Sequence, residues 1–381
     1  MRYAGMVGWA QQMALMKAAH DGDRETYAAL SALTGLDETA RYLCERSELS
    51  HLKRWLGNAE GDWDQVSPER LLKDLSLDIP VMHTGGWYDF MLEGTLAADR
   101  AFRKASPETA HLAIGPWTHM PWNGASGGSR MPEAETYSVD RANVAFFDFY
   151  LKNKGTPPPA LTLFDIGDRL WKRFDQWPEA LEKTLTLTSG GLAATLANDG
   201  MLVDETVDVD GEDVLVSDPF RPAPLVGGHV GEPAGFADRA VADDRSDVAV
   251  YTSALWRNPS PFAGLSGPTS LLRQTHRSSI SLPRSRWFPR RKRKRDPDRH
   301  KSDKNTGASV AVGLRAAFVT VPAGFSLRLS LQASAWPAFS LHAQDPADAA
   351  GVDAEPLTLA IRHDASRLVL SVLKEDTAHG A

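Results

Sequence analysis

The chain has 381 residues, enough for two domains of ordinary size, and its 42% hydrophobic and 24% charged content is that of a soluble globular protein. A single cysteine, Cys44, excludes an intramolecular disulfide and a thiolate metal cluster, and no run of about 18 uninterrupted apolar residues offers a transmembrane helix. The opening Met1 to Ala10 is moderately apolar, but Gln11 and Gln12 interrupt it before any cleavage site, so no secretory signal is expected and a cytoplasmic location is the default.

Residues 1–76 read as helices. Leu49, Leu52, Trp55 and Leu56 recur at helical spacing, and Ser67-Pro68-Glu69 has the cap residue, first-turn proline and early acid of a helix start. Cys44 and the series Met6, Trp9, Met13 and Met16 are read as packing, the last in preference to a pocket lining.

The next stretch, 77–160, carries the chemistry. Ile79 to Thr84 and His111 to Ile114 are apolar runs that predict buried strands, with a helix over about 93–104 between them. The result is a β-α-β unit, whose right-handed crossover leaves the loops after both strands on one edge of the sheet. Those loops hold Gly85-Gly86-Trp87-Tyr88-Asp89 and Gly115-Pro116-Trp117-Thr118-His119, so Asp89 and His119 are expected to be neighbours. A carboxylate that fixes a histidine tautomer, with the histidine as general base on a hydroxyl, makes two thirds of a Ser-His-Asp triad. Trp87, Tyr88 and Trp117 are expected to wall the pocket, with plain packing as the alternative. Asp89 alone also suits a helix N-cap, and His83, inside the first strand, reads as a core residue.

An α/β-hydrolase order of serine, acid, histidine places the nucleophile upstream on a glycine-flanked elbow, and residues 1–88 contain no such motif. The formal match Gly124-Ala125-Ser126-Gly127-Gly128 follows His119 and has no strand before it, so it reads as a loop.

From about 161 the pattern alternates. Thr184 to Thr188, Val214 to Ser217, Val248 to Ser253, Phe325 to Gln332 and Leu357 to Arg362 predict short strands of a β-sandwich, a jelly roll, over 161–381. Arg245 and Asp247 are read as a structural ion pair. The strands are interrupted at about 269–310, where Arg284 to Lys304 holds eleven Lys or Arg and three Asp. A frame shift in the coding sequence is the favoured reading of that text, with a solvated insertion or a nucleic-acid-binding run as alternatives.

The phrases Ile79 to Asp89 and Leu112 to His119 resemble the CocE/NonD hydrolases, which include cocaine esterase, α-amino-acid ester hydrolases, glutaryl acylases and X-Pro dipeptidyl-peptidases. Phe146 to Lys152 resembles the last helix of that family's hydrolase domain. Asp218-Pro219, Pro224 to Gly228, Asp238-Arg239, Arg245 to Val248 with Tyr251, Ser334 to Phe339 and Ser366 to Leu370 resemble its C-terminal sandwich. The resemblance implies an α/β fold with residues 1–76 as a helical cap, 77–160 as the C-terminal part of an α/β-hydrolase domain, and the sandwich after it. It also implies Asp89 as triad acid, His119 as base, and acyl esters or X-Pro peptides as substrates. The family's serine, in a G-x-S-[YF]-x-G motif, and its early oxyanion tyrosine have no counterpart here. The chain by itself is therefore expected to be inactive. A binding module built on the sandwich and an enzyme half completed in trans are the alternatives. No cofactor, metal, membrane or nucleic-acid partner is implied, and the oligomeric state is open.

Overall fold

The computed structural model describes residues 3–46, 48–57, 67–72, 78–119, 125–126, 129–204, 210–231, 234–257, 260–263, 312, 314–339, 341, 356–373 and 379–380. The basic segment from Arg284 to Lys304 lies outside them.

Five helices open the chain: α1 (Tyr3–Asp21), α2 (Arg24–Ala32), α3 (Leu36–Glu45), α4 (Leu52–Gly57) and α5 (Pro68–Leu71). In α1 the buried residues Tyr3, Val7, Ala10, Ala14 and Ala18 fall three or four apart, which is one helix face. That face packs with Leu30, Ala40, Leu43 and Leu52 of the next three helices. Asp23 caps α2 by accepting the Thr26 N–H at 3.0 Å. α5 starts at Pro68 as its sequence predicts, although the Ser67 side chain makes no cap hydrogen bond. The packing reading fails for two residues: Trp9 and Met16 stand 55% and 60% exposed on the opposite face of α1. No helix among the described residues is long and apolar enough to cross a membrane.

β1 (Val81–Gly86), α6 (Leu92–Ala105) and β2 (Ala110–Gly115) form the β-α-β unit, with Val81 opposite Ala110 and Gly86 opposite Gly115 in a parallel register. All six residues of β2 are buried, as expected for a continuous apolar run inside a sheet. The short strands β3 (Ala125–Ser126) and β4 (Ser129–Arg130) pair with each other, so Ser126 belongs to a small hairpin and not to a strand-to-helix elbow. A 3-10 turn over Pro132–Thr136 leads to α7 (Val139–Lys152), which is capped by the Ser138 hydroxyl accepting from the Arg141 N–H and ends at Asn153 in the left-handed region.

β5 (Leu161–Asp165) then pairs parallel to β2, and β6 (Leu170–Phe174) pairs antiparallel to β5. The sheet order is β1-β2-β5-β6-β16, where β16 is His379–Gly380. The boundary expected at 161 therefore falls inside this sheet and not at its end. All five residues of β5 are buried, and such a strand reads the same in either kind of sheet.

The following strands are β7 (Ala180–Thr188), β8 (Gly200–Val203) and β9 (Glu212–Ser217), then the short helix α8 (Ala240–Asp243). After it come β10 (Val248–Ser253), β11 (Ser260–Ala263), β12 (Phe318–Val321), β13 (Arg328–Gln332), β14 (Leu357–Arg362) and β15 (Arg367–Leu373). Seven of them form one sheet in the order β12-β11-β15-β7-β8-β10-β13, and β9 pairs with β14 as a separate ribbon. Leu185, Leu187, Leu202 and Tyr251 from the sheet and Leu215, Leu359 and Ile361 from the ribbon share one core. β13 is shorter than its alternation predicts, because Pro322 to Phe325 is a turn, with the Phe325 N–H on the Pro322 carbonyl.

Candidate active site

The site is assembled where β1 and β2 end. The Trp87 N–H donates to the Gly115 carbonyl at 2.8 Å and the Tyr88 N–H to the Trp117 carbonyl at 3.0 Å, which laces the two loops together. Such close approach leaves no room for side chains. A Cβ on Gly86 would lie 2.1 Å from the Trp117 carbonyl oxygen, and one on Gly115 would lie 2.4 Å from the Trp117 ring.

This lacing brings Asp89 and His119 together. The His119 Nδ1 is 3.2 Å and 3.3 Å from the two Asp89 carboxylate oxygens. A carboxylate can only accept, so this contact suits a proton on the Nδ1 that faces Asp89 and turns Nε2 away from it. Asp89 is 7% exposed, whereas the His119 side chain is 53% exposed. Asp89 Oδ1 also accepts the Met91 N–H at 2.8 Å, one residue before α6 begins. Asp89 is therefore not the N-cap that its position suggested: that place falls to Met91, which has no side-chain cap hydrogen bond, and Asp89 closes a tight turn just before it. The Phe90 ring lies against the imidazole, with centroids 4.7 Å apart.

The aromatic residues expected to wall a pocket behave otherwise. Trp87 and Trp117 are each 1% exposed. The Trp87 indole N–H donates to the Phe164 carbonyl at 2.7 Å, and Trp117 packs 5.6 Å from Trp171 and 6.2 Å from Tyr137. Both are core residues beneath the loops and offer no surface to a ligand. Tyr88 is partly buried, and burial pushes its phenol up to about 12, so it keeps its proton. His83 packs 5.5 Å from Phe102 with its pKa pushed down, chiefly by burial, and reads as core.

Two residues near the pair carry no signal in the sequence. Arg315 Nη1 donates to the Phe90 carbonyl at 3.0 Å across 225 residues of chain. His229 is held down to about 4, first by burial and then by the Arg315 charge, against a hydrogen bond to the Ala316 backbone and the field of Asp89. Among the described residues its Nε2 is buried without a partner. Only the neighbouring Gly227-Gly228 stood out, and it marks a loop, not a site.

The parallel β-α-β unit, with a carboxylate and a histidine meeting where its two strands end, places the chain among α/β folds. The family model for X-Pro dipeptidyl-peptidase (S15 family) matches residues 1–121, which include both Asp89 and His119. Cocaine esterase from Rhodococcus sp. (strain MB1 Bresler) is 28% identical over 214 residues, covering 53% of this chain and 36% of that enzyme. Two solved structures share the fold over 88% of this chain and 62% of theirs, each with a TM-score of 0.61. One is an aminopeptidase from the marine sediment archaeon Thaumarchaeota archaeon, at 16% identity, and the other an α-amino acid ester hydrolase, at 18%. The likeness is thus to hydrolases of the X-Pro dipeptidyl-peptidase and cocaine esterase kind, over residues 1–121 for the family model and over 214 residues for the esterase. It spans about a third of the length of the cocaine esterase it matches.

Proposed function

We propose that this chain carries the proton-transfer part of a serine-hydrolase site for acyl ester or X-Pro peptide bonds, with Asp89 as the acid and His119 as the base. The observation that carries the reading is the Asp89–His119 contact at 3.2 Å and 3.3 Å, with the imidazole half exposed beyond it. In the complete reaction Nε2 takes the proton of an attacking serine hydroxyl as its oxygen bonds to the substrate carbonyl carbon. The same proton then passes to the leaving alcohol or amine. Asp89 keeps the imidazole in the required tautomer and balances the imidazolium.

The serine is not identified among the motifs of this sequence, and Ser126 sits in a hairpin. Loss of such a nucleophile costs about a million-fold in turnover. The chain alone is therefore inactive in this reading, and its β-sheet sandwich, of jelly-roll type, supports the site. A second reading, completion in trans by a polypeptide bearing the nucleophile, is favoured by one observation: no described strand pairs with the outer side of β1.

Proton NMR of the imidazole N–H region tests the assignment. His119 is expected to give a protected Nδ1-bound proton, absent in His119→Ala and lost to exchange in Asp89→Asn. If Asp89→Asn leaves that signal unchanged, the two residues do not act as a pair.

A further inference from the structure

We propose that Arg315 is a positioning residue for the Asp89–His119 pair, acting through a single peptide group; the proposal rests on the reading of that pair given above. The peptide joining Phe90 to Met91 is held on both sides. Its carbonyl accepts from Arg315 Nη1 at 3.0 Å, and its N–H donates to Asp89 Oδ1 at 2.8 Å. A charged donor on the carbonyl polarises the peptide and strengthens the bond made by its N–H. Rotation of that peptide removes the Met91 N–H from Asp89 and frees the carboxylate to turn away from His119. The Phe90 side chain depends on the same unit, and it supports the imidazole with ring centroids 4.7 Å apart. One guanidinium thus fixes both the partner of the imidazole and the surface it lies on.

Arg315 comes from outside the α/β layer. It lies three residues before β12, whose Thr320 is tied to Asp165 at the end of β5. The next residue, Ala316, is buried and holds His229. His229 stays neutral there, so Arg315 supplies the positive charge on that side of the acid loop. The β-sheet region thereby takes part in the site without touching a substrate.

The test uses the full chain labelled with 15N, following the His119 ring nitrogens and the Nδ1-bound proton beside thermal unfolding. In Arg315→Gln the His119 signals are expected to shift toward the average of the two tautomers, with Asp89 still present. In Arg315→Lys, which can make the same single bond to a carbonyl, they are expected to stay as in the parent. An Arg315→Gln protein that melts earlier but keeps parental His119 signals overturns the proposal and leaves Arg315 a structural tie. If Arg315→Gln does not fold, a folded Arg315→Lys with displaced His119 signals overturns it equally. Asp89→Asn separates the two levels: no change at His119 there defeats the pair itself, whatever the arginine variants do.

Discussion

At Gly86 the backbone of one loop touches that of the other, and an added methyl group would sit 2.1 Å from a carbonyl oxygen that cannot swing aside. Gly86→Ala is expected to lower the unfolding free energy by more than about 2 kcal/mol, read from urea denaturation, and to separate Asp89 from His119. His229 gives a second prediction at this scale. Its folded pKa of about 4 lies below the ordinary histidine value of 6.5, so the unfolded chain binds the extra proton between those values. Stability from this group is complete above pH 6.5 and falls as the pH drops toward 4, by about 3 kcal/mol at most. His83 and His111, also lowered by burial, act in the same direction. His229→Asn should therefore flatten the unfolding curve against pH in that window without abolishing its slope; an unchanged slope would show that His229 is not buried neutral. Asp89 and His119 were legible because each stands a fixed few residues after an apolar strand, and a β-α-β unit has one sensible geometry. Arg315 was not, since its partner is a backbone carbonyl 225 residues away and leaves no pattern in the text.

Between elements, two buried carboxylates join strands that are distant in sequence. Asp213 on β9 is fully buried, and its Oδ2 meets the Ser189 hydroxyl at 2.7 Å, the Tyr251 hydroxyl at 2.6 Å and His363 Nε2 at 2.9 Å. Its Oδ1 accepts the Ala193 N–H at 2.8 Å. The grouping holds the residue types of a hydrolytic triad without its geometry: Ser189 and Asp213 both meet the same ring nitrogen, and His363 is 1% exposed. It is a structural knot between the ribbon, β10 and the β14–β15 turn. Asp213→Ala strands several donors at once and should cost about 3–5 kcal/mol. Burial tends to raise the Asp213 pKa, but its hydrogen bonds prevail and hold it below the ordinary carboxylate value of 3.8. Its stabilisation is thus full above pH 3.8 and is lost as the pH falls through the lower folded value. Denaturant midpoints for the parent and Asp213→Ala should converge in strong acid; a constant gap down to the lowest pH would refute the knot's ionic character. The second tie is Asp165, fully buried, which accepts from the Thr320 N–H and hydroxyl and from Lys172 Nζ at 2.7 Å. Thr320→Val is expected to cost about 1–3 kcal/mol by thermal unfolding, because it leaves a buried carboxylate short of a donor. The alternating strands β9 and β14 were legible from period alone. The sheet that β5 joins was not, because all five of its residues are buried and burial on both faces erases the alternation that distinguishes one sheet from another.

Across the whole molecule, the α/β sheet and the seven-stranded sheet are coupled through β12. Ala316 and Phe318 pack with Trp87, Leu92 and Ile114 beneath the acid and histidine loops. Site and support therefore stand or fall together, which is why Arg315 reaches the acid loop from the second sheet. Among the described residues the assembled geometry holds the proposed base and acid, His119 and Asp89, and no identified nucleophile. A fluorophosphonate, which bonds covalently to an activated serine, addresses that state directly when incubated with the purified chain and with its His119→Ala variant. In the proposed reading both stay unlabelled, since no serine among the described residues is identified as a nucleophile for His119. Stoichiometric labelling of the parent that disappears in His119→Ala would contradict it, and the modified peptide would name the missing residue.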